Sequence, residues 1–131
     1  MKTERTVMNM RILFYDATTY DKESFDKELK NYPDVEITYQ EIDISLKTVS
    51  LAKGYDAICA FVNSDLSAAV IEELAQIGIK LILLRCAGFN NVDLDKANEC
   101  GMTVLRVPGY SPEAVAEHAM TLALAVNRHL H

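Results

Sequence analysis

Short apolar blocks recur along the chain with charged stretches between them, and their spacing predicts a regular succession of strands and helices. Residues 11–15 (RILFY) form an apolar run that stops at Asp16, and over residues 20–32 Phe25 and Leu29 fall at helical spacing among charges. Pro33 and Asp34 break that helix, and residues 35–39 (VEITY) alternate apolar and polar as a half-buried strand does. A short helix over residues 45–53 follows, closed by Gly54. Residues 57–62 (AICAFV) are continuously apolar, as in a parallel strand covered on both faces. Over residues 67–78, Val70, Ile71, Leu74 and Ile77 share one helical stripe and Gly78 ends it. Residues 80–84 (KLILL) give a fourth strand, 93–101 a capped helix and 102–107 (MTVLRV) a fifth strand. The last helix opens at Ser111 and Pro112, since Ser suits an N-cap and Pro the first helical position.

Five strands alternating with five helices through short connections give an open, parallel α/β sheet with helices on both faces, for which a flavodoxin-like order 2-1-3-4-5 is the natural expectation. A chain of 131 residues is about one domain long, and its even share of apolar residues with few Gly and Pro favours a packed core. Residues 1–9 read as an N-terminal extension, an upstream start or an expression remnant, placed outside the fold. They hold no apolar signal segment, and no run approaches the roughly 18 residues of a membrane span, so the expected setting is soluble and cytoplasmic.

The formal net charge of -6 without a basic run argues against nucleic-acid binding. Cys59, Cys86 and Cys100 form no CxxC pair, and two of them belong to apolar runs, so they read as small core residues in a reducing setting. No HExxH, GxSxG or Walker A pattern is present, and no metal set is assigned.

In parallel sheets ligands bind beyond the carboxyl ends of the strands, which directs attention to residues 16–19, 63–66, 85–91 and 108–111. In the fourth-strand loop (RCAGFNN), Gly88 admits close approach of backbone to an anion such as a carboxylate, or merely allows a tight turn. Tyr110 stands in a polar loop, either to orient a small ligand through its hydroxyl or to plug the loop. Glu117 and His118 are sequence neighbours, about 100° apart on a helix, and read as structural or interface residues rather than an acid-base pair. The loop after the first strand offers Thr18 and Thr19 but no glycine for a flavin phosphate, and no Asp closes the third strand as a receiver domain requires.

The last helix is apolar almost all the way round: Ala114, Val115, Ala119, Met120, Leu122 and Val126 do not fit on a single stripe. A helix covering one sheet face should have a polar back. Something further, a domain or a second subunit, is expected to cover this one.

Two stretches, RCAGFNNVDLDKA and VPGYSPEAVAEH, in this order after RILFYDA and LAKGYDAICAFVNSDL, resemble the NAD-dependent D-isomer-specific 2-hydroxyacid dehydrogenases, within them the D-lactate dehydrogenase branch. The resemblance runs from Met10 to the end of the chain. It implies that residues 10–110 are the N-terminal part of a substrate-binding, or catalytic, domain and that residues 111–131 form a helix crossing to a Rossmann domain absent here. It further implies that the Ala87 and Gly88 backbone meets the carboxylate of a 2-oxo acid, that Tyr110 lends its hydroxyl to the substrate, and that Phe61 lines the side-chain pocket. The family's catalytic Arg, Glu and His and its GxGxxG loop for NAD belong to later sequence, so no catalytic or cofactor-binding residue is assigned, the chain alone is expected to be inactive, and a homo-oligomer such as a dimer is expected. The alternative from another class is a non-catalytic flavodoxin-like module that dimerises or docks through its last helix.

Overall fold

The computed structural model describes residues 9–129, so the expected N-terminal extension, apart from Asn9, lies outside the described residues, as do residues 130 and 131. Five parallel strands, β1 (Met10–Phe14), β2 (Val35–Tyr39), β3 (Ala57–Ala60), β4 (Leu81–Leu84) and β5 (Thr103–Arg106), pair in the order β2-β1-β3-β4-β5. This is the flavodoxin-like order expected from the sequence. The helices are α1 (Thr19–Leu29), α2 (Ala68–Gln76), α3 (Leu94–Glu99) and α4 (Pro112–Asn127).

Alternation along the strands sorts the core into two faces. Leu13, Ile58, Ala60, Ile82 and Leu84 point to one side, where they pack with Val70, Ile71 and Leu74 of α2 and Ala97 of α3. Ile12, Phe14, Ala57 and Cys59 point to the other. There Phe14 meets Phe25 of α1 edge to face at 5.1 Å. Cover thins toward β5 on this second face: Leu81 and Leu83 are half-buried and Leu105 is exposed.

Local chemistry fixes the element ends. Thr18 and Asp21 form a reciprocal capping box at the start of α1, the Asp21 N–H donating to Thr18 Oγ1 at 3.2 Å and the Thr18 N–H to Asp21 Oδ2 at 2.9 Å. Gly54, Gly78 and Gly101 end their helical segments at φ +87°, +96° and +67°, where a Cβ is disfavoured. The expected helix over residues 45–53 is instead a 3-10 turn, Val49–Ala52. Thr48 Oγ1 accepts from the Ser45 N–H at 2.9 Å and donates to the Asp43 carbonyl at 2.7 Å, and such side-chain bonds compete with α-helical pairing. Helix α1 ends at Leu29 rather than Tyr32, because Asn31 and Tyr32 turn back onto the Glu28 and Leu29 carbonyls ahead of Pro33. Ser111 takes the N-cap position of α4 but makes no side-chain cap bond, while Pro112 holds the first helical position as expected.

Candidate functional site

The carboxyl ends of β1, β3, β4 and β5 gather the loops singled out by the sequence, and Arg85 at the end of β4 ties the first three together. Its N–H donates to the Ala60 carbonyl at 3.2 Å, continuing the sheet one residue past β4. The guanidinium lies between the rings of Phe14 and Phe61, 4.6 Å from each centroid. It donates to the Tyr15 carbonyl at 3.1 Å and the Asp16 carbonyl at 2.8 Å, and faces the Asp16 and Asp21 carboxylates at 3.7 and 3.8 Å. With its side chain only 11% exposed, this cation needs such partners to offset its lost hydration. The result is a rigid corner. Asp16 is held at φ +52°, a strained conformation for a residue with a Cβ, by these contacts and by its own N–H bond to the Ile42 carbonyl at 2.9 Å. Beneath the corner, burial pushes the Cys59 thiol up to about 11, although Arg85 pulls it down, so the thiol is protonated at neutral pH.

Asn91 joins the third- and fourth-strand loops. Its Nδ2 donates to the Phe61 carbonyl at 3.1 Å and the Ser64 carbonyl at 2.9 Å. Ser64, fully buried, accepts the Phe61 N–H at 3.0 Å and donates to Asp43 at 2.7 Å. Phe61 is therefore fixed through its backbone by Asn91 and Ser64 and through its ring by Arg85.

Arg106, the last residue of β5, reaches back to the fourth-strand loop. Its Nη1 donates to the Ala87 carbonyl at 2.8 Å and its guanidinium covers the Phe89 ring at 5.1 Å. The Val107 N–H donates to the Cys86 carbonyl at 3.2 Å, and the Cys86 thiol to the Gly88 carbonyl at 3.3 Å. The carbonyls of Cys86, Ala87 and Gly88 are thus all engaged. Among the described residues, the N–H groups of Ala87 and Gly88 have no acceptor within the chain.

Of the four residues expected at a substrate site, Ala87 and Tyr110 border one open cleft of about 620 Å³, between the fourth-strand loop and the start of α4. Tyr110 is 72% exposed, so it stands in the cleft wall as a side chain facing solvent and not as a loop plug. His118, read from sequence as structural or interfacial, lines the same cleft. Phe61 lines a second depression with Arg85, Asp16 and Val107, and Gly88 stands exposed between Ala87 and Phe89. No role was assigned from the sequence to Arg85, Arg106 or Asn91, although a cation at the end of an apolar strand run is a visible signal at both Arg85 and Arg106.

The strand-end loops do not fit a dinucleotide. The chain's five glycines show no GxGxxG spacing, and the turn after β1 places Asp16 and Asp21 where a pyrophosphate would be repelled. Among the described residues no cluster of three or more His, Cys, Asp or Glu could hold a metal ion, and no helix is long and apolar enough to cross a membrane.

Against known proteins, the model of the D-isomer specific 2-hydroxyacid dehydrogenase catalytic domain matches residues 12–128. The 2-hydroxyacid dehydrogenase homolog 1 of Schizosaccharomyces pombe is 50% identical over 93% of the chain and 36% of its own length. Among solved structures, apo D-lactate dehydrogenase from Escherichia coli is 45% identical with a TM-score of 0.81, over 93% of this chain and 38% of that one. The NAD-complexed D-isomer specific 2-hydroxyacid dehydrogenase from Lactobacillus delbrueckii ssp. bulgaricus is 29% identical with a TM-score of 0.71, over 88% of this chain and 35% of that one. The chain spans about a third of the length of the relatives it matches.

Proposed function

The chain belongs to the D-isomer specific 2-hydroxyacid dehydrogenase family, and from that premise we propose that it is the substrate-binding part of an NAD-dependent, D-lactate-type dehydrogenase reducing a small 2-oxo acid. The observation that carries this reading is the meeting of Ala87 and Tyr110 at one cleft, together with the Ala87 and Gly88 N–H groups, which have no acceptor among the described residues. Such N–H groups suit a carboxylate, which accepts several charge-assisted hydrogen bonds. The Tyr110 hydroxyl orients the substrate, and Phe61, braced by Arg85, lines the space for its side chain. When bound, NADH supplies the hydride. Its site, and the acid-base chemistry, are assigned to the part of the relatives' length that this chain does not span, so the chain by itself holds substrate and does not turn it over. The reading carries with it a cytoplasmic setting and a homo-oligomeric parent, with neither nucleic acid nor membrane as partner.

Titrating the 15N-labelled chain with pyruvate tests the reading: the Ala87 and Gly88 amide signals should move, and Tyr110→Phe should weaken the response. Shifts confined to other regions would count against it. NADH oxidation with pyruvate or phenylpyruvate should be absent for the chain alone, and robust turnover would overturn the claim of inactivity.

A second reading, a non-catalytic module that docks or dimerises through α4, is favoured by the exposure of that helix on every side. Sedimentation over a range of concentrations separates the two, since a concentration-independent monomer is incompatible with self-docking.

A further inference from the structure

We propose that Arg106 is a positioning residue for the carboxylate of the substrate, an inference that rests on the substrate-binding reading above. A trans peptide points its C=O and the following N–H in opposite directions. By taking the Ala87 carbonyl at 2.8 Å, Arg106 therefore fixes the plane of the Ala87–Gly88 peptide and turns the Gly88 N–H away from itself. That N–H has no acceptor within the chain among the described residues. Without the hydrogen bond the loop could satisfy either peptide group by rotating, because Gly88 is exposed and a Cβ there would meet nothing closer than Val62 Cγ2 at 3.8 Å.

The guanidinium is itself constrained. Phe89 lies under it at 5.1 Å, and its backbone is pinned at the end of β5, where the next residue, Val107, donates to the Cys86 carbonyl at 3.2 Å. Two effects then converge on the same peptide. The charge-assisted bond polarises the amide, strengthening Gly88 N–H as a donor, and the positive charge stabilises an anion bound nearby. Arg106 acts through the peptide and needs no contact with the substrate. The inferred ligand chemistry is a carboxylate, so methyl pyruvate, which lacks the charge, should gain nothing from Arg106.

The experiment compares pyruvate titrations of the 15N-labelled chain carrying Arg106→Met, which keeps length and removes donor and charge, with Arg106→Lys, which restores both. Arg106→Met should weaken pyruvate binding at Ala87 and Gly88 about five- to tenfold, Arg106→Lys should recover most of that loss, and methyl pyruvate should respond equally to all three proteins. A mere structural clip would lower the melting temperature of Arg106→Met and leave its pyruvate affinity at the wild-type value, which overturns the proposal while sparing the substrate reading. If wild-type chain gives no response at Ala87 and Gly88, the substrate reading fails and the role of Arg106 with it. Should Arg106→Met not fold, Phe89→Leu removes the ring under the guanidinium and must also weaken pyruvate binding; unchanged affinity there overturns the proposal.

Discussion

Helices α2 and α4 are both rich in Ala, Val and Leu, yet the chain treats them in opposite ways. In α2, Val70, Ile71 and Leu74 are 0% exposed, because their spacing sets them on one stripe above Leu13, Ile58 and Ile82. In α4 no residue is buried, and Val115, Leu122 and Val126 are 72%, 53% and 71% exposed. Apolar content alone therefore does not decide burial. A stripe finds a sheet face, whereas a helix apolar all round can be satisfied only by cover from more than one side. The chain spans about a third of its relatives' length, and we assign that cover to the remaining two thirds.

The sharpest way to break the contrast is to cut into α2. Leu74→Ala removes a fully buried side chain from the middle of the core, and should cost about 3 kcal/mol of unfolding free energy, read as a fall in the urea midpoint. A loss below about 1 kcal/mol would mean that α2 packs no better than α4.

A smaller effect comes from the sheet alone. The folded chain holds the Cys59 thiol up at about 11 against an ordinary 9.0, and burial pushes the Tyr15 hydroxyl up to about 12 against 10.0. Between the two values the unfolded chain has lost the proton that the folded chain keeps, so stability is full below pH 9 and falls as pH rises through the folded values. The slope from Cys59 is about 1 kcal/mol per pH unit between 9 and 11. Melting temperatures across this range should fall less steeply for Cys59→Ala than for wild type. Equal slopes would show that Cys59 ionises as readily in the folded chain as in the unfolded one.

The contrast between the helices was visible in the sequence, because both helices follow from local pattern. So was β2, where VEITY after Pro33 predicts Val35–Tyr39 residue for residue, and so were the helix-ending glycines Gly54 and Gly78. What was not legible depends on side chains meeting backbone far away in sequence. Arg85 donates to carbonyls 69 and 70 residues earlier, and Arg106 to one 19 residues earlier. No periodicity encodes which carbonyl a guanidinium finds. The helix expected over 45–53 failed for a nearer reason, since the Thr48 hydroxyl is engaged by the Ser45 N–H and the Asp43 carbonyl. At the site, Tyr110 was singled out by its polar loop and Ala87 only through family resemblance, and the cleft they share came only with the fold.

The smallest expected effect sharpens the comparison most. Leu122→Ala in α4 removes as much side chain as Leu74→Ala in α2, but from a position already 53% exposed and with no buried neighbours on its helix. Little surface returns to water, and Ala is the better helix former, so the stability of the isolated chain should change by less than about 0.5 kcal/mol. The same substitution in a chain extended to the full length of its relatives should approach the cost seen in α2, because the helix would then lie between two packed surfaces. Urea midpoints of the two chain lengths, each with and without the substitution, measure the difference directly. Equal small costs in both lengths would show that nothing in the longer protein covers this side of α4, and the proposed crossing helix would have to be abandoned.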